Sequence, residues 1–215
     1  GRILTSLPAR RAAAAPVPDR PEEDTCPHCH GRGVVLRDDR AVRCSCMRQK
    51  SLARRRESAG LTPALQRQTF ARFELGYYEP EFLETARRSL AAAREFVREC
   101  LEGRARRGLL FTGPVGSGKT FLASAIANAL VEREHDVFFV VVPELLEAIR
   151  SGIGRPDSEG ENEMERRART GAVLVLDDLG AHNYTEWTRN TLYSLLNYRI
   201  NHELPTVITT NLSLE

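Results

Sequence analysis

Hydrophobic positions change rhythm along this chain. Residues 1–25 are rich in Pro, Ala and Arg and carry no period, so a disordered tail is expected there. From Met47 to Ser58 the charges are dense and helix-compatible, and Gly60 to Tyr78, with Pro63 and Thr69-Phe-Ala-Arg-Phe73, reads as a connector. Phe82, Ala86, Leu90, Ala93 and Val97 then recur at helical spacing, which predicts a helix over 81–101, ended by Gly103 and Gly108. Beyond it, short apolar runs at 109–112, 137–142, 172–176 and 206–210 read as strands. Helical stretches at 119–133, 144–150, 161–169 and 185–202 separate them, with a polar loop at 152–160. Strands that read as continuous apolar runs, rather than alternating ones, are buried on both faces. The pattern therefore predicts an α/β fold: a parallel sheet flanked by helices.

Composition narrows the class. Of 215 residues, 41% are hydrophobic and 28% charged, the profile of a soluble globular protein. The longest apolar run, Val137 to Pro143, is far short of a membrane span, and no secretory signal opens the chain. Residues 1–60 carry thirteen Lys/Arg against seven Asp/Glu, while residues 61–215 carry eighteen against twenty-two. A basic module on a mildly acidic body suggests an interaction unit attached to a core, with polyanions as one class of partner and a solvated Arg-rich tail as the alternative. Only Lys50 and Lys119 among the 31 basic residues are lysine. A lysine kept against such a bias marks a place where a compact ammonium is needed.

Lys119 lies in Gly113-Pro114-Val115-Gly116-Ser117-Gly118-Lys119-Thr120, a G-x-x-x-x-G-K-[ST] loop with a strand before it and a helix after. Gly113, Gly116 and Gly118 permit backbone conformations that let successive N–H groups converge on phosphate oxygens, at the positive end of the following helix. Lys119 is expected to reach the β- and γ-phosphates of ATP, and the Thr120 hydroxyl to ligate Mg²⁺. The strand Ala172-Val-Leu-Val-Leu176 ends in two acids. Asp177 is expected to hold Mg²⁺, and Asp178 to orient or deprotonate the attacking water. Asp178 is one methylene shorter than a glutamate, which predicts slow hydrolysis. At the end of the next strand, Asn211 is placed either to position that water against the γ-phosphate or as a turn residue.

Cys26-Pro-His-Cys29 and Cys44-Ser-Cys46 make a second constellation. In a reducing cytoplasm, four clustered thiols point to a metal rather than to disulfides, and the expected ligands of a closed, structural Zn²⁺ site are Cys26, Cys29, Cys44 and Cys46. His28 and His30 are alternative ligands. Cys100, alone on a predicted helix, reads as a packing residue.

Taken in order, the phosphate loop, the two acids and Asn211 resemble Walker A, Walker B and sensor 1 of the AAA+ family of P-loop ATPases. Thr69-Phe-Ala-Arg-Phe73, Val-Leu-Asp-Asp-Leu-Gly180, Leu-Asn-Tyr-Arg-Ile200 and Leu-Pro-Thr-Val-Ile-Thr-Thr-Asn211 resemble the bacterial replicative helicase loaders of DnaC/DnaI type, and the IstB-type transposition ATPases share much of this. The resemblance covers residues 61–215. It implies a zinc-bearing module, here residues 26–60, that contacts a hexameric replicative DNA helicase, and a core that binds Mg²⁺–ATP and single-stranded DNA, with self-association and a cytoplasmic setting. It makes Phe70 and Phe73 candidates for the adenine pocket, their alternative being core aromatics. Arg199 is expected to face a neighbour or solvent. No fifth strand, arginine finger or lid follows Asn211, so a core cut short after sensor 1 is expected, and both ends of the chain read as cuts. The competing functions are an IstB-like helper acting on duplex DNA and a nucleotide-binding interaction protein with little turnover.

Overall fold

The computed structural model describes residues 26–37, 40–152, 163–180 and 184–212. The expected tail at 1–25 and the polar loop at 152–160, apart from Gly152, lie outside them. The chain divides into two compact units, Gly1–Arg48 and Gln49–Glu215.

In the first unit, strands β1 (Val34–Arg37) and β2 (Arg40–Arg43) pair antiparallel, with Val35 opposite Val42. This hairpin joins the two cysteine pairs and was not predicted, because its strands are four residues long and almost wholly exposed. Helix α1 (Ser45–Ser58) follows, and the boundary between the units falls within it, after Arg48.

The second unit is built on a four-stranded parallel sheet. Its strands are β3 (Leu109–Thr112), β4 (Val137–Val141), β5 (Val173–Leu179) and β6 (Thr206–Thr210), in the spatial order β3-β6-β5-β4. The flanking helices are α2 (Pro63–Gln66), α3 (Pro80–Leu101), α4 (Lys119–Val131), α5 (Val142–Gly152), α6 (Glu163–Thr170) and α7 (Glu186–Asn201). Pro80 starts α3 where a missing N–H costs nothing, and the Thr185 hydroxyl caps α7 by accepting from the Thr188 N–H.

Both faces of the sheet are covered. Val175, Phe139, Val207 and Phe111 pack with α3 and α4, whereas Leu174, Leu176, Phe138 and Val140 pack with α5, α6 and α7. Successive residues of a strand thus feed opposite cores, which is why β4 and β5 read as unbroken apolar runs. Between α1 and α3 the connector holds α2 and two single 3-10 turns, Phe70–Arg72 and Leu75–Tyr77. The buried Asn128 amide of α4 donates to the carbonyls of Leu65 and Gln68, both at 2.9 Å, and so pins this connector beside the helix that begins at the phosphate loop.

Strand β5 carries both acids near its end, as expected, and runs one residue beyond them to Leu179. One expectation is corrected. Arg199 faces neither a neighbour nor solvent: it is 1% exposed, and its guanidinium donates to Thr206 Oγ1 and to the carbonyls of Ala168, Arg169, Gly171 and Pro205. Those carbonyls lie at the end of α6, just after it and just before β6, so the cation ties a helix terminus to the start of a strand. Among the described residues no helix is long and apolar enough to cross a membrane.

Candidate nucleotide site and cysteine cluster

The loop between β3 and α4 takes positive φ at Gly113 (145°), Gly116 (82°) and Gly118 (86°), the last serving as N-cap of α4. Its backbone amides therefore turn together at the positive end of a thirteen-residue helix. The Lys119 ammonium lies across the loop, donating to the Gly113 and Pro114 carbonyls, each at 2.8 Å. Thr120, one residue on, points its hydroxyl at Asp177, 2.9 and 3.2 Å from the two carboxylate oxygens. A hydroxyl and a carboxylate at this separation form a hard oxygen donor set of the kind Mg²⁺ accepts.

How the two acids meet this site depends on an irregularity in β5. Leu176 pairs with Ile208, yet the next pair is Leu179 with Thr210, so three residues of β5 span what two span on β6. The additional residue forms a β-bulge, and Asp178 sits in it at φ +61°. A bulge leaves one N–H without a ladder partner. Here the Thr209 hydroxyl accepts from the Asp178 N–H at 2.9 Å and donates to Asp177 Oδ1 at 2.6 Å. Asn211 Nδ2 donates to Asp178 Oδ1 at 3.2 Å. The end of β6 thus holds both acids, through a buried threonine for one and an exposed amide for the other.

In the first unit, the sulfurs of Cys26, Cys29, Cys44 and Cys46 all lie within 4.8 Å of one another. Cys26 and Cys44 are 3.7 Å apart, and Cys29 and Cys46 3.4 Å. A tetrahedral ZnS₄ centre with Zn–S of about 2.3 Å has S···S edges of about 3.8 Å, so the cluster fits such an ion. The chain turns back after Cys29 through positive φ at His30, Gly31 and Gly33, and the Cys44 N–H donates to the Gly33 carbonyl at 2.9 Å. Backbone N–H groups of His28 and Cys29 pull the Cys26 thiol down to about 6, the thiolate form that a metal needs. The Cys46 thiol, hydrogen-bonded to Cys29, is pushed up to about 12. His28 and His30 are exposed and lie outside the group of four. Cys100 is buried in the core of the second unit, and burial pushes its thiol up to about 11.

Residues 67–215 match the family described as IstB-like ATP binding protein. The chain belongs to that family. Among curated relatives, the replicative helicase loader DnaI of Bacillus subtilis is 34% identical over 55% of this chain and 38% of its own length. A putative ATP-binding protein of an insertion sequence in Mycobacterium tuberculosis, Rv3427c, is 31% identical over 77% of this chain and 63% of its own. A crystal structure of the DnaC helicase loader superposes with a TM-score of 0.60 at 26% identity, covering 72% of this chain and 82% of that one. The chain therefore spans about half the length of the curated relatives it matches. The expected fold, an AAA+ P-loop sheet flanked by helices and preceded by a cysteine cluster, is the one found.

Within this IstB-like ATP-binding core, Gly113 to Thr120, Asp177, Asp178 and Asn211 come together around one loop. Phe70 and Phe73 part company. Both rings pack against the core, but Phe70 has Arg94 over its ring, whereas Phe73 also lies edge-on to Phe121 and beside Tyr78 at the end of the loop. Sequence reasoning passed over Thr209 and Tyr78. Thr209 carried a signal, the doubled threonine at the end of a buried strand. Nothing local marked Tyr78.

Proposed function

We propose that this protein binds and slowly hydrolyses ATP to control the loading of a replicative DNA helicase. The observation that supports the reading is the bulge: Thr209 and Asn211 hold Asp178 while Asp177 stays with Thr120, a division suited to one carboxylate holding metal and its neighbour activating water. When bound, Mg²⁺ offsets the charge of the β- and γ-phosphates. Thr120 and Asp177 are the residues that would hold it. Lys119 exchanges its carbonyl partners for phosphate oxygens. Asp178 accepts a proton from the attacking water, and Asn211 orients that water against the γ-phosphate. A carboxylate on so short a stem, in a left-handed backbone conformation, suits a slow switch better than a fast motor.

In this reading, residues 26–60 carry a zinc-bearing grip for the helicase and residues 61–215 the ATP core, which binds single-stranded DNA and self-associates. Support comes from the four-thiolate geometry and from the likeness to DnaI. The test is capture of a hexameric replicative helicase from the source cell, alongside ATPase assays with Lys119→Ala as control. Capture that persists after residues 1–60 are deleted would overturn the division of labour.

The likeness to Rv3427c, together with the family match, favours one second reading, an IstB-like helper on duplex DNA. It requires ATP-dependent filaments on double-stranded DNA, visible by electron microscopy, and no helicase capture.

A further inference from the structure

We propose that Tyr78 is a positioning residue for the phosphate loop, its hydroxyl holding the Ser117–Gly118 peptide so that the Gly118 N–H is presented to bound phosphate. The proposal rests on the ATP-binding reading above and adds to it a residue outside the motif.

Tyr78 stands between the 3-10 turn Leu75–Tyr77 and α3, in the connector that Asn128 pins to α4. Its Oη donates to the Ser117 carbonyl at 3.1 Å. In a trans peptide the C=O and the next N–H point in opposite directions. A donor that captures the Ser117 oxygen therefore also commits the Gly118 N–H to the other side of that peptide. This N–H makes no hydrogen bond among the described residues, so it is a free donor at the start of α4. Gly118 is half-buried, and an orphan N–H at a helix start is open to an anion.

The phenol is itself held. Its ring is 5.7 Å from that of Phe73, which in turn meets Phe121 of α4 edge-on at 5.5 Å. Burial keeps the phenol protonated, hence a donor. The fit also explains the residue at 118. A Cβ built on Gly118 would collide with the Tyr78 hydroxyl and lie 3.3 Å from Phe73 Cε2. Tyr78 and Phe73 thus both stand against one peptide of the loop, with Phe121 backing Phe73.

The decisive measurement compares two ligands, ATP and inorganic tripolyphosphate, the second having phosphates but no base. Binding is read by competition with a fluorescent nucleotide on the full chain, for wild type, Tyr78→Phe and Tyr78→Ala. Tyr78→Phe keeps the ring and removes the donor. It is expected to weaken both ligands by the same factor, about 3- to 10-fold for one hydrogen bond, raising KM with kcat and the melting temperature unchanged. Equal binding by Tyr78→Phe and wild type would overturn the proposal. So would a Tyr78→Ala variant that loses ATP but not tripolyphosphate, since that would make the ring a wall for the base. A wild-type chain that binds neither ligand would overturn the ATP-binding reading instead.

Discussion

Replacing Arg199 by alanine removes a buried cation that has no carboxylate partner among the described residues. Three of its acceptors, the carbonyls of Ala168, Gly171 and Pro205, lie at 2.8 to 2.9 Å. A hydrogen bond to a charged group contributes about 1.5–3 kcal/mol net, so the three would sum to about 5–9 kcal/mol taken alone. Desolvation opposes that sum, since burial pushes the guanidinium down to about 10. It is still charged at neutral pH. The substitution takes this donor from the Ala168 and Gly171 carbonyls, while that of Pro205 still accepts from the Leu174 N–H, and it opens a void, so the expected loss is about 3–5 kcal/mol. For a unit of this size that lowers the melting temperature by roughly 10 °C. Urea denaturation followed by circular dichroism and by the fluorescence of Trp187, the single tryptophan, reads the loss directly. Arg199→Lys, with three donors on a shorter stem, should recover part of it. An alanine variant within about 1 kcal/mol of wild type, or a lysine variant no better than alanine, would refute the assignment of Arg199 as the pin between α6 and β6.

Gly118→Ala should reduce ATP affinity by at least about 10-fold, because a left-handed φ costs an L residue about 1–2 kcal/mol and the new methyl displaces Tyr78; isothermal titration would detect it. Thr209→Val keeps the volume but strands the half-buried Asp178 N–H and takes a donor from the buried Asp177 carboxylate, so ATPase activity should fall by about 10-fold or more and stability by about 1–3 kcal/mol; a valine variant with normal turnover would remove Thr209 from the site. One zinc per chain should be released by a thiol-specific mercurial and counted with a chromogenic chelator, and Cys44→Ser should abolish the stoichiometry. Full zinc content in that variant would exclude the four-thiolate assignment.

Much of the fold was open to reading because the parallel sheet announces itself. β4 and β5 are apolar on every residue that faces either core, and the glycines of the phosphate loop are required by its backbone. The hairpin at Val34–Arg43 escaped because exposed strands of four residues impose no period. Arg199 was misplaced because a charged side chain in a helix of mixed polarity looks like surface; its partners come from the end of α6, some thirty residues away, and from the residues that open β6. The bulge at Asp178 was invisible because it is a property of the pairing between β5 and β6.

Taken by itself, the sequence determined the parts: the phosphate loop, the order of strands and helices, the paired acids and the two cysteine pairs. Each rests on local chemistry, a spacing of glycines or of sulfurs that any fold must honour. The tertiary structure decided how those parts act on one another. Inserting β6 between β3 and β5 brings Thr209 and Asn211 to acids more than thirty residues earlier, and docking the connector on α4 brings Tyr78 to the loop. These contacts depend on strand order and helix packing, which cores on both faces of the sheet select together, and no short stretch of the chain encodes them.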